Sequence, residues 1–389
     1  MAEPAQVGLL TPAFVALTLS DLAYFTAGGV LIAATPLFVT GPLGGGEAGV
    51  GLAMGSFSVT TLLLRPWAGR FTDRHGRRWL LVGGAAAFTL ITVGHLLVES
   101  VAALVALRLL LGAAEAMYFV AGFAALADLA PPQRAGEALS LNSLALYVGV
   151  ATGPLLGQAL LHWGGFDVAW LGAVALAAVA AALALRVPET RPTGDADPEP
   201  TPLVHPAAIV PGLALFGGVA AMSGFLAFAV LHARAIGIER WSGVLLLYGG
   251  TVVLCRLVFA KLPDRVGPGR LAGTALAVAA VGLFLIGALG TTAGLLVGTA
   301  VMAVGIAFVT PAVFATVFSS VPAEERGSAA ATTSVFIDLG LSGGPMLLGL
   351  LAAASSIPAA FMLAASLPML GALLLGQHGN RRLRAAPAR

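Results

Sequence analysis

The stretch GRFTDRHGRR, Gly69 to Arg78, decides how the chain is read. It holds four arginines, an aspartate and a histidine, in a chain of 389 residues that is only 10% charged and 58% hydrophobic. A soluble chain carries about 25% charged residues. So little charge leaves too little polar surface to face water, and a bilayer is the solvent that suits the rest. The stretch is flanked by the apolar runs 49–68 and 79–98, each near the ~20 residues a spanning helix needs. The sequence therefore predicts a charged loop between two membrane spans.

Working outward, hydropathy and helix breakers predict an all-α membrane protein of twelve spans: 11–38, 49–68, 79–98, 101–129, 139–161, 166–186, 207–231, 242–261, 270–289, 293–318, 328–353 and 357–376. The polar, Pro-rich segment 187–206 reads as a linker between a first half, 1–186, and a second half, 207–376. A basic tail, 377–389, follows. The N-terminus lacks the basic region of a cleaved signal peptide, so the first apolar run reads as a retained span. With the N-terminus in the cytosol, fifteen of the twenty basic residues fall in cytosolic loops or the tail. Only Arg234 and Arg240 fall outside. This bias predicts an inner (plasma) membrane protein with both termini cytosolic.

The net charge of +2 gives no reason to expect a nucleic-acid partner. Cys255 is the single cysteine and the histidines are scattered, so no disulfide or metal site is expected. No phosphate-binding loop and no nucleophile–base set is visible. The chain reads as neither an enzyme nor a user of ATP. No cofactor is expected, and a monomer is.

The opening stretch has a second copy. AKLPDRVGPGR, 260–270, aligns with it at an offset of 191. That offset pairs Asp73 with Asp264, Arg74 with Arg265, Gly76 with Gly267 and Arg65 with Arg256. It also pairs Gly149, Gly153 and Pro154 with Gly340, Gly344 and Pro345. Two six-helix bundles in parallel orientation follow. Transporters built from such repeats bind substrate near the midplane and rock one half against the other. A membrane sensor or scaffold without transport is the alternative from another class.

Gly69–Arg78 resembles the loop signature of the major facilitator superfamily, Gly-x-x-x-Asp-Arg-x-Gly-Arg-Arg. The second copy departs from it at Ala260, Pro268 and Gly269. The resemblance implies a twelve-helix fold of two pseudo-symmetric bundles and alternating-access transport. LLLRPWAGRFTDRHGRR and CRLVFAKLPDRVG are similar to the branch of drug, sugar and metallophore exporters. Physically, Asp73 sits where it can meet loop arginines and a helix N-terminus. The expectation is a cytosolic latch of Gly69, Arg70, Asp73, Arg74, Gly76, Arg77 and Arg78, with Asp264, Arg265 and Gly267 as its second copy. A role for the arginines in orientation alone is the alternative.

An ionised side chain at mid-bilayer costs about 2.5–3.5 kcal/mol on insertion scales. Asp21, Arg108, Glu115 and Asp338 fall inside spans all the same. Arg108, Gly112, Glu115, Phe119 and Gly122 share one face of span 4. Asp21 and Glu115 are the proton-carrying candidates, with Arg108 as shared counter-charge. A structural ion pair between spans 1 and 4 is the alternative. Asp338 could bind substrate, carry a second proton or pair with a basic residue. Arg108-x-x-x-Gly112 and the run Gly149, Gly153, Pro154, Gly157 resemble antiporter signatures of the superfamily, the latter departing at Gln158. They imply proton-coupled export driven by the proton gradient. Gly149, Gly153 and Gly157 also form a small-residue face for close packing. Tyr24, Phe25, Tyr118, Phe119, Phe225, Phe228 and Phe336 are candidate lining of a cavity for a small amphiphilic substrate, or lipid-facing. A facilitator without proton coupling is the nearest rival.

Overall fold

A computed structural model of the chain describes residues 9–131, 134–191, 204–259, 266–322 and 325–385. Among the described residues every regular element is a helix. In order these are α1 (Pro12–Thr40), α2 (Gly46–His75), α3 (Arg77–Val93, extended by a 3-10 turn Gly94–Leu97), α4 (Val101–Leu129), α5 (Ala135–Ala184), α6 (Pro206–Ala235), α7 (Ser242–Val258), α8 (Pro268–Leu289), α9 (Thr292–Phe318), α10 (Arg326–Ala354), α11 (Ile357–Ala364) and α12 (Ser366–Ala385).

Among the described residues ten stretches are long and apolar enough to cross a membrane, and Ser242–Val258 is a shorter apolar helix. The longest, α5, bends at Gly164 and Gly165, whose backbone leaves the helical region. Gly165 has φ +72, which favours glycine. The bend falls in the gap expected between spans ending at 161 and starting at 166. The all-helical architecture fits the expected membrane fold. Helices suit a bilayer because each pairs its own backbone polar groups. Polar caps close several exposed ends: Ser100 accepts from the Ala103 N–H at 3.2 Å, and Thr291 from Gly294 at 3.1 Å. Large apolar side chains such as Leu63, Leu90, Trp163 and Leu350 stay exposed, as a lipid-facing surface requires.

The expected charged loop is a correction. Gly69–His75 are the last turns of α2, and Arg77–Arg78 open α3, so Gly76 alone makes the turn. Polar residues end a hydropathy window, but a helix leaving the bilayer can continue into water. Gly76 takes φ +101 at this turn. Its repeat mate Gly267 takes φ +85 immediately before α8. Asp264 and Arg265 lie outside the described residues, as does most of the linker.

The repeat is visible in helix packing. A Cβ on Gly153 of α5 would lie 2.6 Å from the Gly29 Cα of α1. A Cβ on Gly344 of α10 would lie 2.8 Å from the Ala220 Cα of α6. Gly153 and Gly344 are repeat mates, and so are Gly29 and Ala220. Both helix pairs therefore approach to backbone contact at the same register. The chain divides into two compact units. One comprises α1 up to Ala34 together with the chain from Thr60 to the middle of the linker, and the other comprises 35–59 with the rest of the linker and the second half. Within the latter, Gly51 and Gly55 of α2 meet Pro345 and Ser342 of α10. A Cβ would fall 2.6 Å and 2.4 Å from their carbonyl oxygens.

Candidate functional site

The first unit places its chemistry on α1, α4 and α5. Ser20 and Asp21 are both buried on α1. The Tyr118 hydroxyl of α4 lies 2.8 Å from Asp21 Oδ1 and 2.8 Å from Ser20 Oγ. Asn142 Nδ2 of α5 donates to Asp21 Oδ2 at 2.7 Å. Ser20 Oγ donates to the Ala180 carbonyl at 2.8 Å, which ties α1 to the second passage of α5. Tyr24, one turn along from Asp21, stacks on Tyr118 with ring centroids 4.0 Å apart and planes 5° apart. Phe88 of α3 closes the same cluster, 4.4 Å from Tyr24. An acid is thereby held by neutral hydrogen-bonding partners inside an aromatic wall. Ser20 and Asn142 were missed by a reading that counted charges. The visible signal was that both are polar positions within predicted spans.

Arg108 and Glu115 are both buried on α4. Thr61 of α2 donates to the Gly112 carbonyl between them at 3.0 Å. Glu115 lies within electrostatic range of Tyr24 and Tyr118, and Arg108 within range of His95. The hydrogen bonds described at Asp21 come from Tyr118 and Asn142, where the sequence suggested an arginine counter-charge. Arg65 of α2 sits over the Phe119 ring at 5.2 Å. A Cβ on Gly122 would meet Leu81 of α3, so this end of the span-4 stripe is packed.

Four of the seven aromatic candidates are core side chains. Tyr24 and Tyr118 are 2% and 1% exposed, and Phe225 and Phe228 are fully buried. Phe225 packs against Tyr248 of α7 and Phe361 of α11. Hydropathy finds such rings but cannot tell which way they face. Phe25, Phe119 and Phe336 are half-buried. Asp338 is almost fully buried on α10, with Ser342 Oγ donating to its backbone carbonyl at 3.0 Å. The glycines of the span-5 motif all face α1: a Cβ on Gly149 would meet Leu22 and Thr26, and one on Gly157 would meet Val30.

At the arginine-rich end the anchor is a residue the sequence reading left in the linker. The Glu189 carboxylate accepts the backbone N–H of Arg77 at 2.8 Å and of Arg78 at 3.2 Å, so it caps α3. It also accepts the N–H groups of Thr190 and Arg191. Partial burial pushes its titration up, but these four donors outweigh it and hold the carboxyl below the usual Glu range. Arg77 pairs with Asp128 at 3.0 Å and with Asp73 at 3.5 Å. Thr190 Oγ1 donates to Asp128 at 3.0 Å. Arg78 and Arg191 donate to the Leu185 and Arg74 carbonyls. Arg70 and Arg74 are exposed, and Gly69 has open space around its missing Cβ. The far end of the linker is held in the second unit. His205 Nε2 lies 2.9 Å from Glu325, its N–H donates to Thr332, and its Nδ1 caps α6 through Ala207. Among the described residues no cluster of metal-binding side chains occurs.

Comparison with known proteins accounts for this architecture. The family model described as Major Facilitator Superfamily matches residues 17–342 and 235–387. An uncharacterized MFS-type transporter of Salmonella typhimurium is 31% identical over 92% of this chain and 95% of its own length. A bacterial homolog of the human lysosomal transporter Spinster, solved in an inward-facing and occupied conformation, is 15% identical. It superposes with a TM-score of 0.78 over 96% of this chain and 98% of its own. The nucleoside transporter NupG (D323A mutant) is 13% identical, with a TM-score of 0.79 over 94% and 99% of the two chains. Matched through both copies of its repeat and along nearly its whole length, the chain belongs to the major facilitator superfamily and is a multi-pass membrane transporter of that type.

Proposed function

We propose that the protein is a proton-coupled exporter that exchanges protons for a small, amphiphilic molecule by alternating access, with Asp21 as the proton carrier. The observation that carries this reading is the setting of Asp21: a carboxyl buried within a span and hydrogen-bonded to the neutral side chains of Tyr118 and Asn142. Neutral partners leave the carboxyl able to exist with or without its proton, whereas a close cation favours the charged form. Glu115 is the second carboxyl of the same region, and Arg108 balances charge on α4. Asp338, the buried acid of the second half, is left to substrate binding or charge pairing in this scheme.

In this scheme a proton from outside neutralises Asp21, and substrate binding on the inside displaces it. The proton gradient supplies the energy and no cofactor takes part. The arginine distribution supports an inner-membrane location with both termini cytosolic. On that orientation, the Asp73–Arg77–Asp128–Glu189 cluster is a cytosolic latch that is made and broken during the cycle.

The test is a substrate-panel efflux assay in a strain lacking its own pumps, with Asp21→Asn beside the wild type. The reading expects Asp21→Asn to lose uphill export while exchange can persist. Uphill export by Asp21→Asn equal to wild type would refute Asp21 as the carrier, and wild-type efflux that only ever runs down the substrate gradient would favour a facilitator without proton coupling.

A further inference from the structure

The hydroxyl chain at Asp21 has a hydrogen count that can be checked. Three oxygen–oxygen contacts run in series: Asp21 Oδ1 to Tyr118 Oη, Tyr118 Oη to Ser20 Oγ, and Ser20 Oγ to the Ala180 carbonyl, each 2.8 Å. Each contact needs one hydrogen. A hydroxyl carries one donor hydrogen, and a carbonyl oxygen carries none. With Asp21 ionised, Tyr118 and Ser20 supply two hydrogens for three contacts. If Ser20 bonds Ala180 and Tyr118 bonds Asp21, the Ser20 and Tyr118 oxygens face each other with lone pairs only. A proton on Asp21 Oδ1 completes the series in one direction. Asp21 then donates to Tyr118, Tyr118 to Ser20 and Ser20 to Ala180, while Asn142 still donates to Oδ2.

We infer that Ser20 and Tyr118 are positioning residues that read the proton on Asp21, and that the arrangement described is the protonated one. The inference rests on Asp21 being the proton carrier. On loss of the proton the series has one hydrogen too few, so Tyr118 must turn its hydroxyl from Ser20 to Asp21 and one contact must open. The contact that opens is Ser20–Tyr118, which joins α1 to α4, so protonation is linked to the fit of these helices. The groups that meet Asp21 are Tyr118 on α4 and the neutral Asn142 on α5, with Tyr24 on α1 itself in electrostatic range; Glu115 on α4 acts on Tyr24 and Tyr118, and Phe88 on α3 packs on Tyr24. Arg108 lies about two turns from Glu115 on α4.

The sign of a Ser20 substitution follows. Removing its hydroxyl frees the Tyr118 hydrogen for ionised Asp21 and leaves the protonated series without its relay. Proton binding at Asp21 should weaken by roughly tenfold, the worth of about one hydrogen bond. The experiment is a pH titration of the neutral-carboxyl infrared band of the purified full-length protein, assigned by its loss in Asp21→Asn. Ser20→Ala should move the midpoint to more acid pH by about one unit. Ser20→Thr, which keeps the hydroxyl, should restore it, and Ser20→Cys, a weak donor and acceptor, should shift it the same way by less. An unchanged or more alkaline midpoint in Ser20→Ala overturns the inference. Should that variant fail to fold, Ser20→Cys decides by the same criterion. The titration needs no substrate, so its failure is distinct from a failure of proton coupling in the efflux assay.

Discussion

The two halves of the chain share a scaffold and differ in chemistry. Gly153 against Gly29 and Gly344 against Ala220 are one helix contact built twice. Gly76 and Gly267 make the same left-handed turn before α3 and α8. Yet the offset of 191 that superposes these glycines pairs Asp21 with Gly212, Ser20 with Pro211, Tyr118 with Val309 and Asn142 with Thr333. At Gly212 the Phe336 ring occupies the space a side chain would take. Thr333 turns its hydroxyl back to its own helix at Ala329. The polar centre of the first half is an apolar plug in the second. Duplication thus kept what sets helix distances and released the polar contacts around Asp21. The second half's own buried acid, Asp338, pairs in the repeat with Tyr147, a different register altogether.

The largest effect should come from the position where the halves differ most. Asp21→Asn is expected to abolish uphill export, while Gly212→Ala should act only on packing around Phe336, read as a change in melting temperature. Next come the positions where the halves agree. Gly153→Val and Gly344→Val each force a side chain into backbone, at a cost of about 1–3 kcal/mol. Both should lower thermal stability in detergent by similar amounts, and a large inequality would break the equivalence of the two contacts.

A smaller effect is expected at Glu189, whose repeat mate is Asn380. Glu189→Gln should loosen the first turn of α3 by about 0.5–1 kcal/mol, an exposed cap being screened. Amide exchange at Arg77 and Arg78 would report it. Because the folded-state titration is depressed, the cap is fully present above the ordinary Glu value of about 4.3 and is lost as pH falls through the lower, folded value. Exchange at α3 should therefore speed up on acidification in the wild type and change little in Glu189→Gln. The smallest effect is at Arg134 and Glu137, an exposed pair at 2.8 Å. Arg134→Ala should leave stability unchanged within error, a null control in a thermal melt.

What could be read in advance follows from what sequence patterns report. Hydropathy reports length in an apolar medium, so most span bounds came within a few residues, down to the Gly164–Gly165 bend, while the helices ending at His75 and Ala385 run seven and nine residues past their expected ends. Spaced glycines report backbone approach, so the repeat was visible before any contact was. Orientation about a helix axis is not a one-dimensional signal, and Tyr24, Tyr118, Phe225 and Phe228 proved to be core. The helix continuing through Gly69–His75 was hidden because charge marks the edge of the bilayer but not the end of a helix. Glu189 was hidden by distance along the chain, although a helix opening with Arg77–Arg78 after a glycine that cannot cap it needs an anion from elsewhere. The neutral network around Asp21 escaped because Ser20 and Asn142 cost little in a hydropathy sum.

The central claim is that the first half alone carries the coupling proton, on Asp21. The most direct measurement is proton release from the purified protein in weakly buffered solution when an exported compound from the efflux panel is added. The account predicts release from wild type, none from Asp21→Asn, and release from Asp338→Asn. Equal release from wild type and Asp21→Asn would contradict it.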